Sequence, residues 1–201
     1  TAGPTYEAID PVSGITNLSS GKMGLAIARA AREAGAEVTL IAGPVHLSTP
    51  RGVARVDVKS ASNMLSAATQ RAQSATIFIA TAAVADWRPA QAADHKIKKD
   101  GSGKTPELQF VENTDILATI AQSERAQSGV LFCVGFAAES QDLLANAQAK
   151  RARKGVPLLV GHIGLSPFGT YDTALFLACV PLAVALPHAS TLTLSRHLRD
   201  E

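Results

Sequence analysis

Short apolar or β-branched runs alternate along this chain with Ala-rich stretches of helical period, the order of a parallel α/β sheet covered by helices. After an opening loop, Ser19 and Ser20 are placed to cap a helix from about Lys22 to Ala34, with Met23, Ile27, Ala30, Ala31 and Ala34 on one face and Gly35 as its stop. A strand over residues 37–41 follows and breaks at Gly43-Pro44. Residues 53–58 read as the next strand, and Ser60 opens a helix carrying Met64, Leu65 and Ala68. Residues 77–80 predict a fully buried strand that runs into Thr81-Ala82-Ala83-Val84-Ala85-Asp86. From Trp87 to Lys104 the chain turns polar, with Pro89, three lysines and Asp100-Gly101-Ser102-Gly103, which predicts a mobile loop long enough to act as a lid.

Further on, residues 108–111 suggest a strand, Thr114 or Asp115 caps a helix through Ala121, and residues 130–135 form another buried strand. A helix over residues 140–154 stops at Gly155 and Pro157. A strand over 158–160 precedes a hairpin of 175–178 with 180–185, and Ser190 caps a short last helix. The fold class is therefore α/β: a doubly wound, mostly parallel sheet with helices on both faces and a late β-hairpin.

Composition narrows the function classes. The 201 residues fit one domain, and 46% apolar with only 4% aromatic residues suits helices packed on a sheet better than an aromatic-rich sandwich. A net charge of +2 is too small to make nucleic acid or an acidic membrane the main partner. The longest apolar run, Ala174 to Leu186, is too short for a span and contains Pro181. The start lacks the basic and apolar regions of a signal peptide, and Thr1-Ala2-Gly3-Pro4 reads as the end of a cut strand, as in a fragment of a longer protein. Cys133 and Cys179 sit in apolar stretches without CxxC spacing, which predicts buried free thiols in a reducing cytoplasm.

Candidate chemistry concentrates in Ile15-Thr16-Asn17-Leu18-Ser19-Ser20-Gly21-Lys22-Met23-Gly24, where small polar residues and glycine precede a helix start whose amides can hold phosphate. The spacing fits neither a Walker A loop nor GxGxxG, and a plainly capped helix is the alternative. Asp86, beyond the carboxyl end of a strand, could hold a divalent cation or cap a turn. Lys96, Lys98 and Lys99 could close over phosphates or simply be solvated. Lys150 and Lys154 share a helix face near its C-terminus, where dipole compensation alone would account for them. None of the five histidines stands at metal-ligand or triad spacing.

Taken together, Thr1-Ala2-Gly3, Glu7-x-Ile9-Asp10-Pro11-Val12, the Ile15–Gly24 run, Gly43-Pro44-Val45 and Ala82-Ala83-Val84-Ala85-Asp86 resemble bacterial phosphopantothenate-cysteine ligase. Lys96-Ile97-Lys98-Lys99, Asn113-x-Asp115-Ile116-Leu117 and Gly135-Phe136-Ala137-Ala138-Glu139 extend the resemblance, in order, to about Leu177. It implies a cytoplasmic Rossmann-like homodimer that activates the carboxylate of 4'-phosphopantothenate with CTP, in the presence of Mg2+, and then forms an amide with cysteine. It further implies catalytic roles for Asn17, at the acyl intermediate, and Lys96, on the nucleotide phosphates. Ser19, Ser20, Gly21 and Lys22 become the phosphate loop. Nucleotide contacts fall to Ala80, Thr81, Ala82, Asp86 (also the metal contact), Thr114, Asp115, Ile116, Leu117, Phe136, Lys150 and Lys154.

Three departures accompany the resemblance. Ser13 stands where many members have Arg, and His162 where Asn is common. A core strand before Thr1 and the upstream FMN-dependent decarboxylase of many bacterial members do not precede it in this sequence. Two other classes compete: a nonenzymatic nucleotide-binding or regulatory module derived from the ligase, motivated by Ser13, His162 and the abrupt start, and an NAD(P)-dependent oxidoreductase, against which the missing GxGxxG counts.

Overall fold

The computed structural model describes residues 1–99, 101, 103, 105–139, 143–163, 172–179 and 183–190; for 138–139, 143–144, 162–163, 172–179 and 183–190 it describes the backbone. In chain order the elements are β1 (Tyr6–Ala8), β2 (Gly14–Thr16), α1 (Lys22–Glu33), β3 (Thr39–Ala42), β4 (Ala54–Asp57), α2 (Ala61–Ala72), β5 (Ile77–Ala80) and β6 (Trp87–Pro89). They continue with β7 (Phe110–Glu112), α3 (Ile116–Ala121), α4 (Glu124–Gln127), β8 (Phe132–Glu139), α5 (Leu143–Lys154), β9 (Leu158–Ile163), β10 (Asp172–Cys179) and β11 (Ala183–Ser190).

The main sheet has the order β11-β10-β9-β8-β5, with β5, β8 and β9 parallel and β10 and β11 antiparallel, while β3 and β4 form a separate parallel pair. Residues 1–4 run between them. Ala2 bridges Ala42 and Pro4 bridges Ala83, both in parallel sense, and the Thr1 nitrogen donates to the Ile79 carbonyl at 2.8 Å. The chain thus proceeds from this central segment outward through β3 and β4, then returns to β5 and winds the other way through β8 and β9. Ligands of open α/β sheets settle in the crevice beyond the strand ends at such a reversal.

Alternation along the strands assigns the faces. Leu40 and Ala42 of β3 join Ala2 and the α1 residues Leu25 and Ala28 in one core, and Ile41 joins the larger one on the other face. That larger core draws Met64 and Ala68 from α2, Ile116, Leu117 and Ile120 from α3 and Ala147 from α5, packed on Phe78, Cys133 and Leu159 of the sheet. Helices therefore cover both faces, and β10 with β11 supplies the late hairpin.

Several expectations need correction. The opening loop is an antiparallel hairpin, with Tyr6 opposite Thr16 and Ala8 opposite Gly14; strands of three residues are too short to announce themselves by alternation. Helix α1 is capped by Gly21, with φ of 76°, rather than by Ser19 or Ser20. Its buried face carries Gly24, Leu25, Ala28 and Ala30, with Met23 and Ile27 half-buried and Ala34 exposed. Small residues face inward because α1 lies directly on the central segment: a Cβ on Gly24 would stand 2.5 Å from the Ala2 Cβ and 2.6 Å from Thr81 Oγ1.

Strand β5 is not fully buried, since Ile77 is 58% exposed at its start, and Val130 and Phe132 are likewise exposed where β8 begins. Trp87–Pro89 is a strand rather than loop, paired with Phe110–Glu112 two residues later than predicted. Ser60 caps α2 with a reciprocal capping box to Asn63, and Asp115, not Thr114, caps α3. Cys133 is buried and free. Asp100, Ser102, Lys104, Ser140, Val180, the helix after Ser190 and the side chains of His162 and Cys179 lie outside the described residues.

Candidate functional site

The crevice beyond the central segment and β5 is built from three loops. The first leads from β2 into α1. Asn17 is exposed, and its Oδ1 accepts the Ser19 amide at 3.0 Å. That acceptance fixes which end of the amide is oxygen and leaves Nδ2 as the donor end. The Ser19 and Ser20 hydroxyls accept from the Gly21 and Lys22 amides at 3.4 and 3.5 Å. The first helical bond runs from Leu25 N–H to Gly21 O, so the amides of residues 22–24 open the helix, where N–H groups and the dipole favour an anion.

The second loop, residues 81–86, is stitched to the central segment. Thr81 donates its hydroxyl to Thr1 O and Ala82 N–H donates to Thr1 Oγ1, while Ala83 N–H reaches Gly3 O. Thr5, fully buried, accepts from the Ala85 amide through Oγ1 at 3.0 Å and from the Thr16 hydroxyl through its carbonyl at 2.8 Å. One residue thereby couples the loop bearing Asp86 to the loop bearing Asn17. Asn113 completes the frame: its Nδ2 donates to Ala85 O and its amide to Asp86 O, both at 2.8 Å.

On the far wall, Ala80 pairs with Gly135, and Phe136, half-buried, follows one residue along β8. The missing Gly135 side chain admits Leu159 and Leu117, whose methyls would stand 2.6 and 2.7 Å from a Cβ there. Ile116 and Leu117 spend their side chains in the core, so any contact from them to a ligand falls to backbone at the start of α3. Asp115 accepts from the Ala118 amide at 3.0 Å and forms an ion pair with Lys154. Burial lowers the Lys154 ammonium pKa and the nearby Asp86 carboxylate opposes that shift, which puts Asp86, Asp115 and Lys154 in one electrostatic cluster. Lys150, one turn earlier on α5, is half-buried, and Thr114 is exposed beside Asp115.

The third loop carries Lys96, Lys98 and Lys99, all exposed. It is tied to the turn of the first hairpin: Ala93 N–H donates to Ile9 O at 2.8 Å, and Ile97 N–H to Asp10 Oδ2 at 3.0 Å. Asp10 Oδ1 accepts from Val12 and Ser13 amides at 2.9 and 2.6 Å. The hydrogen bond from Ile97, followed by those from Val12 and Ser13, holds the Asp10 carboxyl below the usual carboxylate range. Thr5, Asp10 and Asn113 were not among the residues assigned roles from sequence. Asp10 and Asn113 stand inside recognisable motifs, while a single buried threonine gives no sequence signal.

Among the described residues no group of three or more His, Cys, Asp or Glu gathers as a metal cage. The exposed Asp86 carboxylate fits a cation that arrives with phosphates, since Mg2+ is commonly held by one or two carboxylates plus phosphate oxygens and water. A separate cavity of about 470 Å³, lined by Gln127, Leu131, Cys133, Arg151 and Pro157, lies at the opposite, amino-terminal ends of β8 and β9. No helix of the described residues is long and apolar enough to cross a membrane.

Residues 1–177 match the family model described as DNA/pantothenate metabolism flavoprotein C-terminal domain. The chain belongs to that family. The matched span contains every residue placed around the crevice. The chain is 49% identical over 180 residues to the coenzyme A biosynthesis bifunctional protein CoaBC of Vibrio cholerae serotype O1, covering 88% of this chain and 44% of the relative. It is 42% identical over 205 aligned residues to CoaBC of Escherichia coli K12, covering 100% of this chain and 50% of the relative. This member of the family thus spans about half the length of the relatives it matches. The crystal structure of the C-terminal domain of CoaBC superposes with a TM-score of 0.82 at 33% identity, over 99% of this chain and 89% of that one.

Proposed function

We propose that this domain joins cysteine to 4'-phosphopantothenate at the expense of CTP, through an acyl-cytidylate, as a step of coenzyme A biosynthesis in the cytoplasm. The observation that carries the reading is the convergence of the Asn17 loop, the start of α1 and the Asp86–Asp115–Lys154 cluster on one crevice at the sheet's reversal point. The names of the full-length relatives support the pathway.

In the first step a carboxylate oxygen of the pantothenate chain attacks the α-phosphorus of CTP, the bond to the β-phosphate breaks, and pyrophosphate leaves. In the second the cysteine nitrogen attacks the acyl carbon, the acyl–phosphate bond breaks with CMP as leaving group, and the amine loses a proton. A free carboxylate is a poor acyl donor, and the mixed anhydride supplies the leaving group. The amides opening α1 and the Lys96 and Lys154 ammoniums offset phosphate charge, and Asp86 offers a carboxylate to Mg2+, whose role is to screen the triphosphate. Phe136 and the backbone of Ala80, Thr81 and Ala82 form the base pocket, in which the Ala82 N–H is already engaged by Thr1.

Two further parts belong to the reading. Exposed Trp87, Phe110 and Val111 on the β6–β7 hairpin support a homodimer. The twofold length of relatives named bifunctional supports a fused decarboxylase, the only part for which FMN is proposed. The test is direct: purified protein with CTP, Mg2+, 4'-phosphopantothenate and cysteine will release pyrophosphate and CMP in equal amounts, each dependent on phosphopantothenate. Pyrophosphate release that ignores phosphopantothenate would refute it.

A further inference from the structure

We infer that Asp10 is a positioning residue for Lys96: its carboxylate anchors the lysine-bearing loop to the first hairpin, so that the ammonium is presented to the nucleotide from a fixed base. The inference rests on the reading of Lys96 as a phosphate contact. Asp10 is 4% exposed although it sits at the tip of a surface turn, between the exposed neighbours Pro11 and Val12 and the exposed loop of residues 94–99. A buried carboxylate requires partners, and this one has them on both oxygens. The Val12 and Ser13 amides donate to Oδ1, and the Ile97 amide donates to Oδ2. Backbone donors thus occupy both oxygens, as an ionised, acceptor-only carboxylate allows.

The bonds to Val12 and Ser13 are what any aspartate does for its own turn. The bond to Ile97, 87 residues away and adjacent to Lys96, has no part in shaping that turn. Together with Ala93 N–H on Ile9 O it pins the loop at two points four residues apart. An asparagine at position 10 would keep one oxygen for Val12 and Ser13 and turn its NH2 toward the Ile97 N–H, two donors facing each other. The turn would persist and the anchor would be lost.

The experiment is a double-mutant cycle on the intact protein with Asp10→Asn, Lys96→Ala and the pair, reading kcat and KM for CTP, the melting temperature, and trypsin cleavage after Lys96, Lys98 and Lys99. Asp10→Asn is expected to lower kcat/KM for CTP about tenfold, the scale of one charge-assisted hydrogen bond. The double variant should be no slower than Lys96→Ala alone, and trypsin should cut the loop faster in Asp10→Asn at temperatures well below its melting transition. A purely structural role would not produce that dependence on Lys96. Ile97→Pro, which deletes the donor and spares the turn, should reproduce the kinetic signature and the faster cuts after Lys98 and Lys99 if Asp10→Asn fails to fold, the Lys–Pro bond it creates being closed to trypsin. Losses that multiply in the double variant, or Asp10→Asn within about twofold of the parent for CTP, would overturn the inference. If Lys96→Ala itself has no effect, the assignment of Lys96 falls instead, and the trypsin comparison alone decides whether Asp10 anchors the loop.

Discussion

Asn17→Asp will consume one equivalent of CTP and then stall. The replacement is isosteric, and the Oδ1 acceptance from the Ser19 amide at 3.0 Å survives it. What changes is the other end of the side chain, where an N–H donor becomes an anionic acceptor. Beside a mixed anhydride that carries a phosphate charge and must develop an oxyanion as the amine attacks, loss of one donor costs about 100- to 1000-fold in rate. In the proposed scheme the first half-reaction depends on phosphate contacts at the start of α1 and on the lysines, which the change leaves in place. A burst of pyrophosphate equal to the enzyme concentration is therefore expected, with acyl-cytidylate recoverable after rapid quench and little CMP. Steady turnover near the parent rate, or loss of the burst itself, would remove Asn17 from the second step.

Gly43→Ala will destabilise the whole crevice without touching a catalytic group. A Cβ at this position would lie 1.6 Å from the Pro4 carbonyl oxygen, a backbone atom that has no rotamer to move into. To relieve the clash, residues 1–5 must leave β3, breaking the bonds from Ala2 N–H to Ile41 O and from Gly43 N–H to Ala2 O, both 2.9 Å. The same segment carries Thr5, which joins the Asn17 and Asp86 loops, so damage to packing becomes damage to the site. Overpacking against backbone at the upper end of the usual range costs about 3 kcal/mol. In a domain of this size that corresponds to a fall of roughly 6 to 12 °C in Tm. Calorimetry on the variant checks it, and a Tm within about 2 °C of the parent would mean that the strand shifts freely.

What could be read in advance follows from how each feature is written in the chain. Ser60 and Asp115 announced their helices because capping is a local hydrogen bond between residues three apart. The late hairpin was legible from two apolar runs around a proline. The inner face of α1 was not, because the pattern of large apolar residues pointed to Met23 and Ile27, whereas close approach to Ala2 and Thr81 selects glycine and alanine. The Ile15–Gly24 run and Asp86 stood out as chemistry, yet the residues that hold the Asp86 loop in place, Thr5 and Asn113, reach it across 80 and 28 positions of sequence. Such a partnership exists only once the sheet has folded. Asp10 lay in a quoted motif, but the meaning of its second oxygen depends on a loop 87 residues away.

Diffraction from crystals soaked with CTP and Mg2+ tests the account most directly. The expected density has the triphosphate against the amides of residues 22–24, with Lys96 and Lys154 on its oxygens and the cytosine between Ala80–Ala82 and Phe136. A nucleotide seated instead in the cavity beside Cys133 and Arg151, at the other end of the strands, would contradict it.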